Sequence, residues 1–283
     1  MPIYNISALI VAVFKTLEGT KGNYMIRGLY SSGWSMKANN RKMDVIANNL
    51  ANVNTNGYKK DSVVFKSFPE LVTQRVNDNK DSSNPSGRIG RMELSSDVDE
   101  VFTYYYQGPT IRTDSKTDFS ISDMGSAFFT IAVMGEDGNI REYYTRDGAF
   151  IINDNNILVT KEGYPVMGQN GSINIYDNNF IVEEDGTIIQ NGDITDRFLI
   201  RNFSDTSTLR KIGSNLIERT ADTQEQPFNG AVKQGFLEQS NVNVIKEMVD
   251  MITVMRAYEA NQKILQIQDG TLEKAVNEVG SVR

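Results

Sequence analysis

The chain has 283 residues, enough for one or two domains with a real hydrophobic core. Its 29 Lys and Arg against 36 Asp and Glu give a formal charge of −7, so a nucleic-acid partner held by a basic surface is not expected. Cys and His are both absent, which removes disulfides, thiolate catalysis, sulfur-ligated zinc, the Ser-His-Asp arrangement and the commonest metal-ligand sets.

In chain order, the first apolar run, Ile6 to Phe14, is too short for a membrane span, which needs about 20 residues, and has neither a basic residue before it nor a clear small-residue cleavage site. From Leu29 the positions Leu29, Gly33, Met36, Asn40, Met43, Ala47, Leu50 and Asn54 alternate steps of four and three, which places them on one stripe of a helix facing a partner. Asn40 would fix register within that stripe at a cost in stability. The helix closes in Asn48-Asn49-Leu50-Ala51-Asn52-Val53-Asn54-Thr55-Asn56-Gly57, where Asn and Gly tolerate the left-handed backbone of a helix end. Gly57 is expected at positive φ, with Gly57→Val severe and Gly57→Asn milder.

Val63 to Val98 reads as polar and irregular, with Asp78 to Gly87 an exposed loop or connector. Short apolar runs follow: Phe128 to Val133, Phe150 to Ile152, Ile157 to Thr160, Thr187 to Ile189 and Phe198 to Ile200. The pairs Asp137-Gly138, Asp147-Gly148, Asn170-Gly171, Asp185-Gly186 and Asn191-Gly192 punctuate them as tight turns, so antiparallel β structure is expected. At the C-terminal end Ile245, Met248, Ile252 and Met255 are spaced three and four apart. After one three-residue skip, Tyr258, Gln262, Leu265, Asp269, Leu272, Val276 and Val279 resume the alternation, and such a skip overwinds a coiled coil locally. Met248, Met251 and Met255 are expected in helix packing. The fold class is therefore α+β, with N- and C-terminal helices forming a coiled-coil layer and a central antiparallel β-rich domain.

Chemistry has few candidates. Asp97-Val98-Asp99-Glu100 and Glu183-Glu184-Asp185 could pair carboxylates, but both read as solvated segments, and Asp177-Asn178-Asn179 lacks the Gly and closing Glu of a calcium loop. No catalytic residue, cofactor or metal ligand is assigned. A reading from another class is a secreted carbohydrate-binding β domain using Tyr104-Tyr105-Tyr106 and Tyr143-Tyr144, although strand alternation suits those residues equally to packing.

The run Ile46 to Lys59 resembles the N-terminal signature of the flagellar rod and hook family of axial proteins. Val232 to Asn243, leading to Glu247-Met248 and Arg256-Ala257-Tyr258-Glu259-Ala260-Asn261-Gln262-Lys263, resembles that family's C-terminal signature. Between them Gly108 to Asp114, Tyr144 to Phe150 and Leu158-Val159-Thr160 look like its strand entries. Three departures stand out: Ala127 replaces a Gly before Phe128-Phe129, so the turn there is expected to differ, Asn156 stands at a turn-Gly position, which Asn can fill at positive φ, and Trp34-Ser35 replaces the small residues usual in the first helix.

The resemblance implies a structural subunit of the bacterial flagellar basal-body rod, in the distal part, that polymerises with itself into a hollow axial tube. A proximal rod or hook-type subunit is the alternative. Implied partners are further copies, other rod and hook subunits and the flagellar export apparatus, with export lacking a cleaved signal. The implied organisation is an extension at 1–24 preceding the family's usual start and dispensable, an assembly helix at 25–57, a connector at 58–97, the β domain at 98–239 and a second assembly helix at 240–283. The implied interface is Leu29, Met36, Asn40, Met43, Ala47, Leu50, Asn52, Asn54 and Gly57 with Ile245, Met248, Ile252, Met255, Tyr258, Leu265 and Leu272.

Overall fold

The computed structural model describes residues 27–67, 71–74, 88–93, 95–135, 138–177, 179–274 and 277–278. The expectations for 1–24, for Asp78 to Gly87 and for Val276 and Val279 fall outside the described residues. Two long helices, α1 (Arg27–Ala51) and α2 (Val244–Lys274), flank a run of antiparallel strands, so the α+β architecture is as expected. The chain divides into two compact units, one made of 1–37 with 67–97 and 259–283, the other of 38–66 with 98–258.

In the smaller unit Leu71–Gln74 pairs antiparallel with Arg88–Met92, with a bulge at Thr73/Gln74. Gln268 of α2 lies so close to Gly28 of α1 that any side chain at position 28 would displace it. Lys37 bridges Asp97 at 3.3 Å on the surface. The stretch Val63 to Val98 is therefore not irregular throughout, as its polar composition suggested. Its described parts include the strands Asp61–Ser67, Leu71–Gln74 and Arg88–Met92, and Asp61–Ser67 pairs with Ser96–Thr103. Polar side chains suit the ribbon of Asp61–Ser67 and Ser96–Thr103, in which no side chain is fully buried.

The larger unit holds the core. Its main sheet has six strands in the order Leu209–Ile212, Leu216–Arg219, Ile140–Thr145, Ala127–Met134, Ile200–Phe203 and Glu225–Gln226. Ala127–Met134 reads as a continuous apolar run because both of its faces are covered. Phe129 and Ile131 join Phe119, Phe150 and Phe198 on one side, with Phe129 edge-on to Phe150 at 5.3 Å between centroids. Phe128 joins Tyr105, Tyr144 and Phe203 on the other. Each such ring, fully removed from water, contributes roughly 1.5–3 kcal/mol. Burial of Tyr105 and Tyr144 takes these two out of any sugar-binding platform and leaves Tyr104 and Tyr106 at the surface.

Ala127 opens its strand and needs no unusual backbone; the turn before it is closed by the Asp123 carboxylate, which accepts from the N–H groups of Gly125, Ser126 and Ala127. Asn156 takes φ 60°, as its replacement of Gly suggested. Asp147-Gly148, in contrast, is no hairpin turn. Gly148 has no positive φ and is small because a Cβ there would strike the carbonyl of Phe119, where two segments cross at backbone distance.

Candidate functional site

The chain leaves α1, enters the β structure and returns to α2 through one polar junction within the larger unit. After Ala51 the run of Asn closes the helix in successive tight turns: Asn52 N–H donates to the Asn48 carbonyl at 3.1 Å and its amide to the same oxygen at 2.9 Å, while Thr55 Oγ1 reaches Asn52 Oδ1. Gly57 then takes φ 66°, as expected, and its N–H donates to the Glu238 carbonyl at 2.8 Å. A Cβ on Gly57 would come within 2.5 Å of the Arg146–Asp147 peptide. That close approach removes the expected leniency toward Asn.

Beyond Gly57 four buried charges interlock. Glu238 accepts from Lys59 Nζ at 2.6 Å, Arg146 Nε at 2.7 Å and the Gly108 N–H at 2.9 Å. The Arg146 guanidinium also pairs with Asp123 and donates to the carbonyls of Ala127 and Ile121. Two cations and two anions balance, so no net charge is buried. Burial lowers the Lys59 amine to about 8 against the opposing pull of Glu238. For Asp123 burial acts in the raising direction, and the guanidinium of Arg146 outweighs it to hold the carboxyl below its ordinary range.

A second balanced group sits beside the first. Lys60 pairs with Glu247 of α2, and Lys211 bonds Asp61 Oδ2 at 3.0 Å and the Lys59 carbonyl at 2.8 Å while lying 3.7 Å over the Tyr58 ring. Asn49 copies a backbone strand: its amide donates to the Asp61 carbonyl at 2.8 Å and accepts the Asp61 N–H at 3.0 Å, and it also reaches Glu247 at 3.2 Å. Asn241 accepts from the Lys60 N–H at 2.7 Å and donates to the carbonyls of Tyr104 and Tyr106. Asn243 caps α2 through the Lys246 N–H at 3.0 Å. Each charged side chain of the junction has a partner of opposite sign, and such a network specifies a single geometry because any displacement leaves an unpaired charge.

The helix faces differ from the expected stripes. On α1 the inward line is Gly28, Ser32, Ser35, Asn39, Lys42, Ile46, Asn49 and Val53, one residue N-terminal of the expected set, with Ser32, Ile46 and Asn49 buried. Leu29, Met36, Met43 and Leu50 flank it half-buried, whereas Gly33, Asn40, Ala47 and Asn54 are exposed, so Asn40 is not a core residue. On α2 the inward line is Glu247, Met251, Val254, Tyr258, Asn261, Leu265, Gln268 and Leu272, in unbroken steps of four and three. The expected three-residue skip does not exist: it joined an outward set to the inward one at Tyr258. Ile245, Met248, Ile252 and Met255 are 76, 49, 52 and 48% exposed, so the two outer methionines are not packed within the chain. The inward lines were hidden because they carry Asn49 and Glu247, polar residues satisfied by specific partners.

Lys59, Arg146, Glu238 and Asp123 were missed as site residues. The first three lie inside the very runs that carried the family resemblance, and a fixed charge in an otherwise apolar or glycine-rich strand entry was the available signal.

Asp147 borders the junction, accepting from the Ala149 N–H at 3.0 Å and from Asn215 at 3.4 Å. Burial raises its carboxyl from 3.8 to about 6. A raised folded-state value means that the folded chain binds the extra proton between about 4 and 6; stability falls as pH rises through that window, and the cost is complete above it. Asp147→Asn is expected to stabilise by about 1–2 kcal/mol at pH 8, allowing for solvent around the half-buried side chain, and by less at pH 5. Urea unfolding at the two values checks this; equal effects at both would show that the carboxyl is not strained.

Three family descriptions match in the order of the chain. Residues 29–59 match "Flagella basal body rod protein", 124–195 "Flagellar hook protein FlgE/F/G D1 domain" and 233–278 "Flagellar basal body rod FlgEFG protein C-terminal". The chain is 36% identical over 271 residues to the flagellar basal-body rod protein FlgG of Buchnera aphidicola subsp. Schizaphis graminum, covering 88% of this chain and 98% of that protein. It is 34% identical over 275 residues to FlgG of Bacillus subtilis (89% and 99% covered), and 33% over 246 residues to the rod protein FlgF of Caulobacter vibrioides (86% and 93%). The first and third matches bracket the junction from both sides, and with relatives aligned over nearly their whole length the chain belongs to the flagellar basal-body rod protein family, as a structural subunit of that assembly.

Proposed function

We propose that the chain polymerises head to tail into the axial tube through the outward faces of its terminal helices, in the distal part of the rod, after export without a cleaved signal. The observation that carries this reading is the outward face of α2. Ile245, Met248, Val249, Ile252 and Met255 form an exposed apolar surface that nothing described in the larger unit covers. A heterologous contact that does not close into a ring makes a helical filament, and flexible Met side chains adapt to the non-equivalent neighbours such a filament imposes. Leu29, Met36, Met43 and Leu50 supply the corresponding flank of α1. The junction holds both helices against the β structure so that each copy presents the same surface. Further copies, other rod and hook subunits and the export apparatus are the proposed partners. The distal position is supported by near-full-length similarity to proteins named FlgG; the similarity to FlgF favours a proximal subunit as the second reading.

Ile252→Asp and Met248→Asp test the proposal. Each is tolerated on the surface of the monomer but would bury an unpaired charge at every subunit contact, costing several kcal/mol there. Secreted, folded and unassembled chain is the expected result. Complete rods built from either variant would remove α2 from the assembly face.

A further inference from the structure

We infer that the outward face of α2 in one copy docks on a row of aromatic rings, Phe102, Tyr104 and Tyr106, of the neighbouring copy. This rests on the self-polymerising reading and names the surface that receives the helix.

The row is built by alternation. Along the strand Ser96–Thr103 and the segment that follows it, Glu100, Phe102, Tyr104 and Tyr106 are spaced two apart, while Tyr105 turns inward against Phe128 at 5.8 Å between centroids. Phe102 and Tyr104 are 5.2 Å apart and Tyr104 and Tyr106 5.9 Å, with Tyr104 and Tyr106 41 and 52% exposed. Isolated exposed tyrosines are ordinary, but Tyr104 and Tyr106 are held side by side here: Asn241 donates to their carbonyls at 2.8 and 3.1 Å. The ring planes meet at 81° and 53°, which gives a ridged surface rather than the flat platform on which a sugar stacks.

Three properties of the row match α2. The first is attachment: Asn241, which donates to the carbonyls of Tyr104 and Tyr106, stands three residues before Val244, where α2 begins, so the row is tied to the start of the helix. A sideways displacement of one copy then sets the helix of one against the row of the next, a heterologous contact. The second is size and chemistry. Met248 and Met255 are seven residues apart, about 10.5 Å along a helix, close to the reach of the three rings, and thioether sulfur packs favourably at ring edges. The third is charge. Glu100 extends the row at its Phe102 end, and Arg256 stands one residue beyond Met255 on the outward face; both are exposed, and neither forms an ion pair among the described residues. Pairing Glu100 with Arg256 places Ile245 and Met248 at the Tyr106 end and so fixes the direction in which the helix lies on the row.

The chain has no cysteine, so introduced thiols report contacts cleanly. Purified full-length Tyr106→Cys and Met248→Cys chains would be mixed under assembling conditions, oxidised and resolved by mass, with sedimentation of the unmodified chain run in parallel. The expected product is a mixed dimer absent from either chain alone, with Tyr106→Cys plus Arg256→Cys giving at most a trace. Glu100→Arg and Arg256→Glu should each weaken self-association about tenfold and largely restore it when combined. Chains that sediment as polymers without the mixed dimer, or that show no restoration in the charge swap, would overturn the inference while leaving polymerisation intact. An unmodified chain that stays monomeric would overturn both. Because the substituted side chains are exposed, an unchanged thermal melt of each monomer separates lost docking from lost folding.

Discussion

Glu238→Ala is expected to destabilise the larger unit by about 3–5 kcal/mol, the range for removing one partner from a buried charge pair. Its carboxylate joins Lys59, Arg146 and the Gly108 amide, and its own carbonyl holds Gly57. Without the carboxylate, Lys59 can shed its proton, since burial already lowers it to about 8, but Arg146 cannot and keeps Asp123 alone. Lys59→Met should cost much less. It removes a buried cation, substitutes an apolar side chain of similar length and leaves Glu238 paired to Arg146. Urea unfolding of both variants measures the difference. A Glu238→Ala chain within about 1 kcal/mol of the unmodified one would mean that the cluster is solvated and does not hold the junction.

Gly57→Asn and Gly57→Val are both expected to cost on the order of 2–4 kcal/mol, from backbone strain together with forced overpacking. Conformation alone would separate them, because Asn accepts positive φ: Asn156 and Asn191 adopt φ 60° and 54° in this same chain. Space does not separate them. The added Cβ of either residue meets the Arg146–Asp147 peptide at 2.5 Å, and that peptide is anchored by the buried guanidinium beside it. Assembly should fail in both variants, since the exit direction of α1 depends on this crossing. Stability of Gly57→Asn close to that of the unmodified chain would show that the crossing can open without cost.

The terminal helices, several of the central β segments and the left-handed glycine at the helix exit were legible because each depends on local rules: periodicity, turn pairs and the conformational freedom of Gly. What stayed hidden depends on partners distant in sequence. Asn49 and Glu247 looked wrong for an inward line until their bonds, to each other and to Asp61 and Lys60, were in view. Apolar periodicity therefore selected the neighbouring line on α1 and, on α2, the outward face as far as Met255. That displacement is informative: the residues an apolar pattern selects on α2 are the ones the chain leaves uncovered. Asp147-Gly148 misled for a related reason, since a Gly needed for a close crossing and a Gly needed for a turn read alike in sequence. The buried cluster at Glu238 joins residues 92 and 179 positions away, a separation no local pattern reports.

In the proposed assembly the junction fixes the helices so that neighbouring copies bury the outward face of α2. A reconstruction of the assembled rod by electron cryomicroscopy, at a resolution that shows side chains, is the decisive experiment. The expected result is Met248, Ile252 and Met255 covered by another subunit, with Glu238 still bonded to Lys59 and Arg146. Those three side chains lining an open, water-filled surface in the assembled rod would contradict it.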